Sequence, residues 1–592
     1  MLSFCAVLLA SACIGETIEF DLEPGERWWG GSVGSGGEMP FSGKTVFGST
    51  LVGNPGGNQV VGLFLSSRGR CLWSDAPFDY AFSNGHFRAR GPAPLRLDAA
   101  GERTLRGARE LAVKKYMPPS GRCPDEMLFT APQWNTWIEL TYNQNERDIR
   151  AYADSILSHG FPPCVIMIDD TWQEGYGVWR FNPARFPDPK GMCDYLHSRG
   201  FKVMLWVVPY VSPDTPEFRE LRDAKGLLMD AERRGECAIF PWWNGYSAAI
   251  DLSSGGGVAW FRGRLDSLCR DYGIDGFKFD GGSMSVYSKR RFKAEDPRAS
   301  TSEAQARLYG EFALGYPLAE VKSTWQMGNS PLAQRLRDKH HRWRDVARCV
   351  ADMNAAQLLG YQYCAPDMIG GGEWQSFRPG AKFSKKLVVR YAQAAALMPA
   401  MQFSLDPWRV MKDPGDEKYL DAVTKAVKVR ESHMPKILKL VRNAAEKGTP
   451  ITCPMDYAFP GQGFEDVQDQ FVLGDDLIVA PIVDDTDSRT VRLPAGRWID
   501  DLGHAVEGPA IIQLKDVPVD RLPRWTLSEH PLAAPCEKKV QIPPCDCKPN
   551  MIYYSAFSRC EDNSVGRVPP CQGGCRGFES RSSLQMTGEM GA

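Results

Sequence analysis

Residues Tyr272–Ser283 read Tyr-Gly-Ile-Asp-Gly-Phe-Lys-Phe-Asp-Gly-Gly-Ser, and this stretch decides the fold. Gly-Ile-Asp-Gly is typical of a turn, and Phe277-Lys278-Phe279 alternates with the period of a strand. Asp280 follows, where the strand gives way to the flexible pair Gly281-Gly282. In a (β/α)8 barrel the chemistry lies at the carboxyl ends of the strands, which places Asp280 as a nucleophile or general base. Asp before Gly is equally common in an Asx turn or as a helix N-cap, so this stretch alone leaves both interpretations open.

A complete barrel can be traced outward from this strand. After Leu128, short apolar runs alternate with helix-like segments such as Glu146–His159, Met192–Arg199 and Val258–Asp271, a pattern of βα units around a parallel sheet. The candidate strands are Trp134–Leu140, Val165–Asp170, Val203–Pro209, Gly276–Asp280, Glu320–Trp325, Arg335–Asp338, Tyr361–Asp367 and Met398–Ser404. We therefore predict an α/β protein whose catalytic (β/α)8 TIM barrel spans residues 129–447.

Strand-like segments with Gly, Pro and Asn turns flank the barrel on both sides. Residues 16–128 predict an N-terminal β-sandwich, and residues 448–535 predict a C-terminal β domain. Residues 1–15 form a short apolar run that ends in small residues, which predicts a signal peptide. The run lacks a positively charged beginning, so a clipped or misplaced start is the alternative. We expect a secreted protein or one of the secretory-pathway lumen.

Composition narrows the class of partner. The 592 residues are 43% hydrophobic with a formal net charge of −2, and they carry no basic excess for nucleic acid or an anionic membrane. Beyond the signal segment no stretch approaches ~20 uninterrupted apolar residues, so we expect no membrane span. The expected partner is a small or neutral molecule, and the sequence does not determine the oligomeric state.

The cysteines are unevenly distributed along the chain. Six of the 17 lie in the predicted Cys-rich tail, residues 536–592, at Cys536, Cys545, Cys547, Cys560, Cys571 and Cys575. In an exported protein such a cluster predicts a small module held by disulfide bonds, whose pairing the sequence cannot choose. A disordered end is the alternative, and the spacing does not match a zinc site.

Several predicted barrel strands end in an acid: Asp169-Asp170, Asp280, Asp338 and Asp367. Two carboxyl groups flanking an anomeric carbon are what glycosidic cleavage requires, one to attack and one to protonate the leaving oxygen. Five tryptophans lie near the same strand ends, at Trp134, Trp172, Trp206, Trp243 and Trp325. Aromatic walls with convergent carboxylates favour a sugar pocket over a metal site.

Three motifs follow one another along the chain: Gly-Phe-Lys-Phe-Asp-Gly-Gly, Arg335-Leu-Arg-Asp338-Lys339 and Pro366-Asp-Met-Ile-Gly-Gly371. They occur in the order found in glycoside hydrolase family 31, which the chain resembles. The resemblance extends through Trp243-Asn-Gly, Ala319-Glu-Val-Lys-Ser, Met398-Pro-Ala-Met-Gln-Phe-Ser and Gln470-Phe-Val-Leu-Gly-Asp-Asp-Leu-Ile-Val-Ala-Pro481, and it covers roughly residues 20 to 530. Within the family the chain looks most like a branch described as α-galactosidase among many α-glucosidases.

The resemblance implies a role for individual residues. Asp280 matches the nucleophile, Asp338 the acid/base, and Arg335 a ligand of the bound sugar's hydroxyls. Asp170 and Trp243 match positions that form the sugar subsite. From the residues alone, Arg335 could equally form a surface ion pair and Trp243 could be a core aromatic.

The proposed chemistry requires different environments for the two acids. We count Lys278 among the sugar-site residues and expect it, with Arg335, to keep the nucleophile ionised, whereas Asp338 must hold a proton near neutral pH through burial or like-charge repulsion. Asp367 is either a sugar ligand or a structural residue that fixes a strand-to-loop turn. Asp345 and Asp352 are the fallback acids.

The chain departs from the family at three places. Gly281-Gly282-Ser283 stands where the branch has a glutamate, and His340-His341 replace the acid and small residue expected after Asp338-Lys339. Near Gln402-Phe403-Ser404 no histidine matches the one found late in many α-glucosidase barrels, which argues against assuming glucose.

The function that these observations favour is a retaining exo-α-glycosidase for terminal α-linked galactose or glucose, without metal or organic cofactor. Two alternatives remain open at this point. One is a carbohydrate-binding barrel that has lost turnover. The other is a metal-dependent hydrolase built on His340-His341, which is disfavoured because adjacent strand residues point in opposite directions.

Overall fold

The centre of the computed structural model, which describes residues 15–53 and 58–528, is a sheet of eight parallel strands. In chain order, barrel strands 1 to 8 are Gln133–Asn135, Val165–Ile168, Lys202–Val207, Gly276–Phe279, Leu318–Val321, Ala333–Arg335, Cys364–Ala365 and Gln402–Phe403. Strands 1 to 7 pair in chain order, and strand 8 pairs with strand 1. A bridge between Met368 and Gln402 joins the two ends of the sheet. The predicted TIM barrel is confirmed.

The strands are shorter than the sequence predicts, and the first prediction was wrong in its second half. Strand 1 ends at Asn135, whose side-chain oxygen accepts the Trp137 backbone N–H at 2.8 Å. This local bond competes with the sheet ladder, and Trp137–Leu140 forms a single helical turn instead of extending the strand.

Helices follow most barrel strands, with side-chain caps at their first turns. Asn145 accepts the Asp148 N–H, and Ser254 accepts the Gly257 N–H at the start of the helix before strand 4. That helix ends at Gly273 in a left-handed conformation, φ +78°, which glycine adopts without strain. The long helices are Glu146–Ser158, Pro189–Ser198, Gly255–Tyr272, Ser302–Ala313, Trp343–Leu358, Lys385–Ala396 and Glu417–Lys447.

Barrel strands 5 and 6 are connected differently. In this part of the described chain, residues 322–332, a short strand takes the place of the usual helix. The strand, Thr324–Trp325, pairs in parallel with Gln59–Val60 of the N-terminal domain. The predicted strand Glu320–Trp325 therefore contains two strands that belong to different sheets.

The N-terminal domain is a β-sandwich, as predicted. One sheet contains Glu16–Asp21, Phe47–Thr50, Asp79–Ser83 and His86–Gly91, and the other contains Arg27–Ser32, Phe41–Ser42, Gln59–Ser66, Arg70–Trp73 and Arg96–Ala99. Phe64, Phe82 and Phe87 pack against one another between the sheets with tilted rings, whose centroids are 4.8–6.2 Å apart. Helix Leu105–Tyr116 leads from the sandwich to the barrel.

The C-terminal domain is a six-stranded antiparallel sheet, which confirms the second predicted β domain. Its strands are Thr452–Cys453, Phe471–Leu473, Leu477–Val479, Arg489–Asp500, Ala505–Leu514 and Arg524–Leu527.

The predicted signal segment and the Cys-rich tail lie outside the described residues. The nine cysteines that are described are all free thiols. In the described ranges, none of the helices is long and apolar enough to cross a bilayer.

Candidate active site

A cavity of about 410 Å³ opens among the residues that follow the barrel strands. Six of the seven predicted site residues line it: Asp170, Trp243, Lys278, Asp280, Arg335 and Asp338. Six further side chains that the sequence analysis did not assign also contribute to the wall: Trp137, Tyr142, Lys322, Glu373, Trp374 and Gln375. The wall thus combines carboxylates, cations and aromatic faces, the composition expected of a sugar pocket.

Asp280 is held by the elements around it. Its Oδ2 accepts the indole N–H of Trp206 at 3.0 Å, and its Oδ1 accepts the backbone N–H of Gly281 at 2.8 Å. Gly281 and Gly282 have φ of +63° and +57°, and a Cβ at Gly282 would lie 2.2 Å from the Tyr309 ring. The double glycine is therefore required by the turn that follows Asp280, and a larger residue such as glutamate would not fit there.

Lys322 lies between the two predicted catalytic acids. Its Nζ is 3.0 Å from Asp338 Oδ2 and 3.6 Å from Asp280 Oδ1. Asp338 Oδ2 and Asp280 Oδ1 therefore cannot be farther apart than the sum of these two distances. That upper limit lies at the lower end of the ~6.5–9.5 Å separation of the carboxyl groups in inverting enzymes. The sequence motif Ala319-Glu-Val-Lys-Ser contains this lysine, but a lysine after a strand carries no pattern that assigns it to a site.

Arg335 connects Asp338 to the layer beneath the cavity. Its Nη1 donates to Asp338 Oδ1 and, at 2.7 Å, to Asp367 Oδ1, while its Nε lies 3.4 Å from Glu320. The guanidinium is almost completely buried, so its position is set by these three carboxylates.

Asp367 does not line the cavity. It is fully buried below the floor, where its Oδ2 accepts the backbone N–H groups of Lys339 and Gly372 at 2.7 and 2.8 Å. A carboxylate whose oxygens are used in this way is not free to bind a sugar hydroxyl. The structure therefore favours the structural role over the sugar-ligand role for Asp367.

The cations around Asp280 and Asp338 lower the pKa of both carboxyl groups. Burial would raise the pKa of Asp280, but Lys322, Lys278 and Arg335 outweigh it and hold this pKa below its ordinary value. Burial likewise opposes ionisation of Asp338, yet Lys322 and Arg335 hold its pKa well below the usual range. The expectation that Asp338 keeps a proton near neutral pH was wrong, because two cations contact its carboxylate directly.

Asp170 is the acid that the structure favours in its neutral form. Burial and the neighbouring Asp169 raise its pKa to about 7. Asn244 donates to its Oδ2 at 2.7 Å and the Tyr176 hydroxyl donates at 3.2 Å. Asp169 itself is paired with Lys278, with 2.5 Å between Oδ2 and Nζ.

Trp243 sits at the tip of a hairpin formed by Ile239–Trp242 and Gly245–Ala249. Its side chain is 52% exposed, and Lys322 Nζ lies 5.7 Å from the ring centroid. An exposed indole next to the acids offers a flat face for a sugar ring.

The other predicted wall tryptophans are in the core, apart from Trp206. Trp134, Trp172 and Trp325 are buried and do not line the cavity. Trp134 stacks on Phe403 at 4.8 Å and contacts Tyr152 of the helix Glu146–Ser158, so it lies between the sheet and the helices. Trp325 belongs to the strand that joins the N-terminal sheet. Proximity to a strand end did not reveal on which side of the sheet each ring would lie.

The fallback residues are placed away from the cavity. Asp345 and Asp352 are both buried, and Asp352 is paired with Lys339 at 3.1 Å. His341 uses both ring nitrogens, bonding to Gly370 O at 2.8 Å and accepting the Ser384 N–H at 3.0 Å. Because both nitrogens already have protein partners, His341 does not fit the role of a metal ligand.

Comparison with known sequences identifies two domains. The profile of the glycosyl hydrolases family 31 TIM-barrel domain matches residues 130–335, and that of the family 31 C-terminal domain matches residues 448–529. The mouse myogenesis-regulating glycosidase is 31% identical over 69% of this chain and 57% of its own length. The alpha-xylosidase XylQ of Lactiplantibacillus pentosus is 27% identical over 62% of this chain and 49% of its own. The chain thus spans about half the length of these curated relatives.

Solved structures share the fold. A Flavobacterium johnsoniae GH31 dextranase complexed with glucose superposes with a TM-score of 0.72 at 17% identity, covering 86% of this chain and 66% of the dextranase. The cycloalternan-degrading enzyme of Trueperella pyogenes also gives 0.72, at 20% identity, over 86% of this chain and 81% of the enzyme.

Proposed function

Because the chain carries the TIM-barrel and C-terminal domains of glycoside hydrolase family 31, we propose that it is a retaining exo-α-glycosidase that removes terminal α-linked hexoses. One observation carries the proposal: Asp280 and Asp338 share the Lys322 ammonium at the base of an aromatic-walled cavity. A single cation in contact with both carboxylates leaves little room for the water that an inverting enzyme places between substrate and base.

The first step forms a covalent sugar-enzyme bond. The Asp280 carboxylate attacks the anomeric carbon while Asp338 transfers its proton to the departing glycosidic oxygen. Trp206 and the Gly281 N–H orient the attacking carboxylate, so little rearrangement is needed. In the second step Asp338 removes a proton from water, which attacks the same carbon and releases the sugar with its original anomeric configuration.

Asp338 must gain a proton before the first step, although Lys322 and Arg335 favour its carboxylate. A sugar hydroxyl that accepts a hydrogen bond from Lys322 would draw the ammonium away from Asp338 and raise the pKa of this acid. In this mechanism substrate binding prepares the acid, and activity is greatest on the acidic side of neutrality.

The remaining wall residues fit roles in binding the terminal sugar. Asp170 and the Asp169–Lys278 pair present hydroxyl-binding groups on the wall, and Trp243 presents a flat face near the opening. Relatives include enzymes named for xylose and for glucose linkages as well as the myogenesis-regulating glycosidase. We propose galactose or glucose as the sugar removed.

The test is a panel of nitrophenyl α-galactosides, α-glucosides and α-xylosides, with the anomer of the released sugar followed by NMR. Hydrolysis with retention of configuration is expected. Release of the inverted anomer would contradict the double-displacement mechanism. Binding of sugars without any hydrolysis would favour the alternative, a carbohydrate-binding barrel that has lost turnover.

A further inference from the structure

Gln59 belongs to the N-terminal sandwich but reaches the carboxyl ends of two barrel strands. It is the first residue of the strand Gln59–Ser66 and is fully buried. Its side-chain Nε2 donates to the backbone carbonyl of Lys322 at 2.9 Å and to that of Arg335 at 3.2 Å. The neighbouring Asn58 amide donates to the same two carbonyls, at 2.8 Å to that of Lys322 and at 3.5 Å to that of Arg335.

These two carbonyls lie at the point where the barrel ladder stops. Barrel strands 5 and 6 pair through Glu320–Ala333 and finally Val321–Gln334, so Lys322 and Arg335 are one residue beyond the last pair. Buried carbonyls need a donor, and beyond the ladder the Gln59 amide supplies one to each. The same amide bridges the two strands where their ladder no longer does.

Burying the Gln59 side chain carries an energetic cost. Its Oε1 is buried without a hydrogen-bond partner among the described residues. A buried unpaired acceptor is unfavourable, so the two hydrogen bonds that Gln59 donates have to offset this cost. The two donated hydrogen bonds are what an apolar side chain could not provide.

Lys322 and Arg335 are also the residues whose side chains contact Asp338. We propose that Gln59 is a positioning residue that fixes the backbones of these two residues and thereby places both cations against the acid/base. This inference rests on the proposed function, because it assigns Gln59 to the same reaction. Gln59, a residue of the N-terminal domain that does not line the cavity, then contributes to catalysis.

The chain offers a matched control at the same junction. Gln326 donates from its Nε2 to Ser74 O at 2.5 Å, so it too joins the barrel connection to the N-terminal domain through one amide. Among the described residues, the Gln326 side chain donates to Ser74 and forms no hydrogen bond with Lys322 or Arg335. Gln326→Met therefore removes a hydrogen bond between the two domains and leaves the hydrogen bonds to the Lys322 and Arg335 carbonyls in place.

The experiment compares Gln59→Met and Gln326→Met in the full chain. Methionine fills the space of glutamine without its donors. For Gln59→Met we expect kcat/KM on a substrate with a poor leaving group to fall by ~10- to 100-fold, the scale of a small misplacement of catalytic groups, with little change on a dinitrophenyl glycoside. The basic limb of its pH profile should move to higher pH. Gln326→Met should match the wild type in both respects. If Gln59→Met does not fold, Gln59→Asn keeps an amide that is too short to bridge the carbonyls.

A second measurement does not depend on turnover. The carboxyl ¹³C signal of Asp338, assigned with Asp338→Asn, should titrate at higher pH in Gln59→Met than in the wild type and be unchanged in Gln326→Met. An unchanged titration in Gln59→Met, or an equal shift in Gln326→Met, would overturn the inference. If the wild type hydrolyses no glycoside, the proposed function fails while this titration still decides the role of Gln59.

Discussion

The Lys322 ammonium lies 3.0 Å from Asp338 Oδ2, so the proposed general acid forms an ion pair with this lysine. A general acid works only while protonated, and a depressed pKa therefore places the active fraction at low pH.

We predict that kcat/KM falls as pH rises toward neutrality and that Lys322→Met moves this fall to higher pH. Removing the cation raises the pKa of Asp338, so the acid remains protonated over a wider range. The pH at which kcat/KM falls is read from the pH profile of nitrophenyl glycoside hydrolysis, and it can be compared between the variants even if the absolute rate is lower. If kcat/KM falls at the same pH in Lys322→Met as in the wild type, Lys322 does not control the pKa of Asp338.

Asp280→Asn should fold normally and lose turnover by at least ~10³-fold, because the amide keeps the shape and removes the nucleophile. In the wild type a fluoro-sugar should label a peptide that contains Asp280. The control is Asp271→Asn, a half-exposed acid on the preceding helix. Wild-type rates in Asp280→Asn would remove this residue from the mechanism.

Asp338→Ala should separate the two chemical steps. Natural sugars, whose leaving oxygen needs a proton, should be hydrolysed poorly, whereas dinitrophenyl glycosides should still glycosylate the enzyme. Added azide should then restore the second step, because it fits the space left by the carboxylate and needs no base. Equal losses on both substrates with no azide rescue would assign the acid/base role elsewhere.

Asp170 gives a prediction about stability and pH. Its pKa is raised to about 7 in the folded chain, above the ~3.9 of an unfolded Asp, so its stabilising contribution is complete below pH ~4 and is lost as pH rises through about 7. Asp170→Asn should therefore gain stability relative to the wild type between pH 4.5 and 8, as measured by thermal denaturation at several pH values. A constant difference across this range would mean that Asp170 ionises normally.

The sequence was sufficient for the barrel because its signals are local. Alternating and apolar runs mark each strand, and Asp280 is marked by the turn that follows it. Its double glycine, which looked like a departure from the family, follows from the Tyr309 ring beside Gly282.

The electrostatics of the site could not be predicted in the same way. Arg335 lies three residues before Asp338, but Lys322 follows barrel strand 5 and reaches Asp338 only because strands 5 and 6 pair in the sheet. Likewise the sequence places Trp325 near the end of a barrel strand, where we expected it to line the cavity. Trp325 instead belongs to the short strand after barrel strand 5, which pairs with the N-terminal sheet. Such long-range pairings leave no periodic trace in a single chain.

The buried pair of Lys339 and Asp352 lies beneath the site, and both side chains are 1% exposed. Asp352→Ala should destabilise the chain by about 3–5 kcal/mol, because it leaves a buried ammonium without its partner. Urea denaturation measures the loss, with Glu236→Ala in an exposed pair as the control. The double variant Lys339→Met/Asp352→Leu should recover most of the loss. A single variant as stable as the control would mean that Lys339 finds another partner.

The strand Thr324–Trp325 has a practical consequence for anyone who wishes to produce the barrel alone. A fragment cut at residue 129 would be missing Gln59–Val60, and the edge that pairs with them would be bare. An open edge of this kind recruits other chains, so the excised barrel should precipitate or associate where the intact protein does not. Expression trials and crystallisation designs should therefore keep the sandwich and the barrel on one polypeptide.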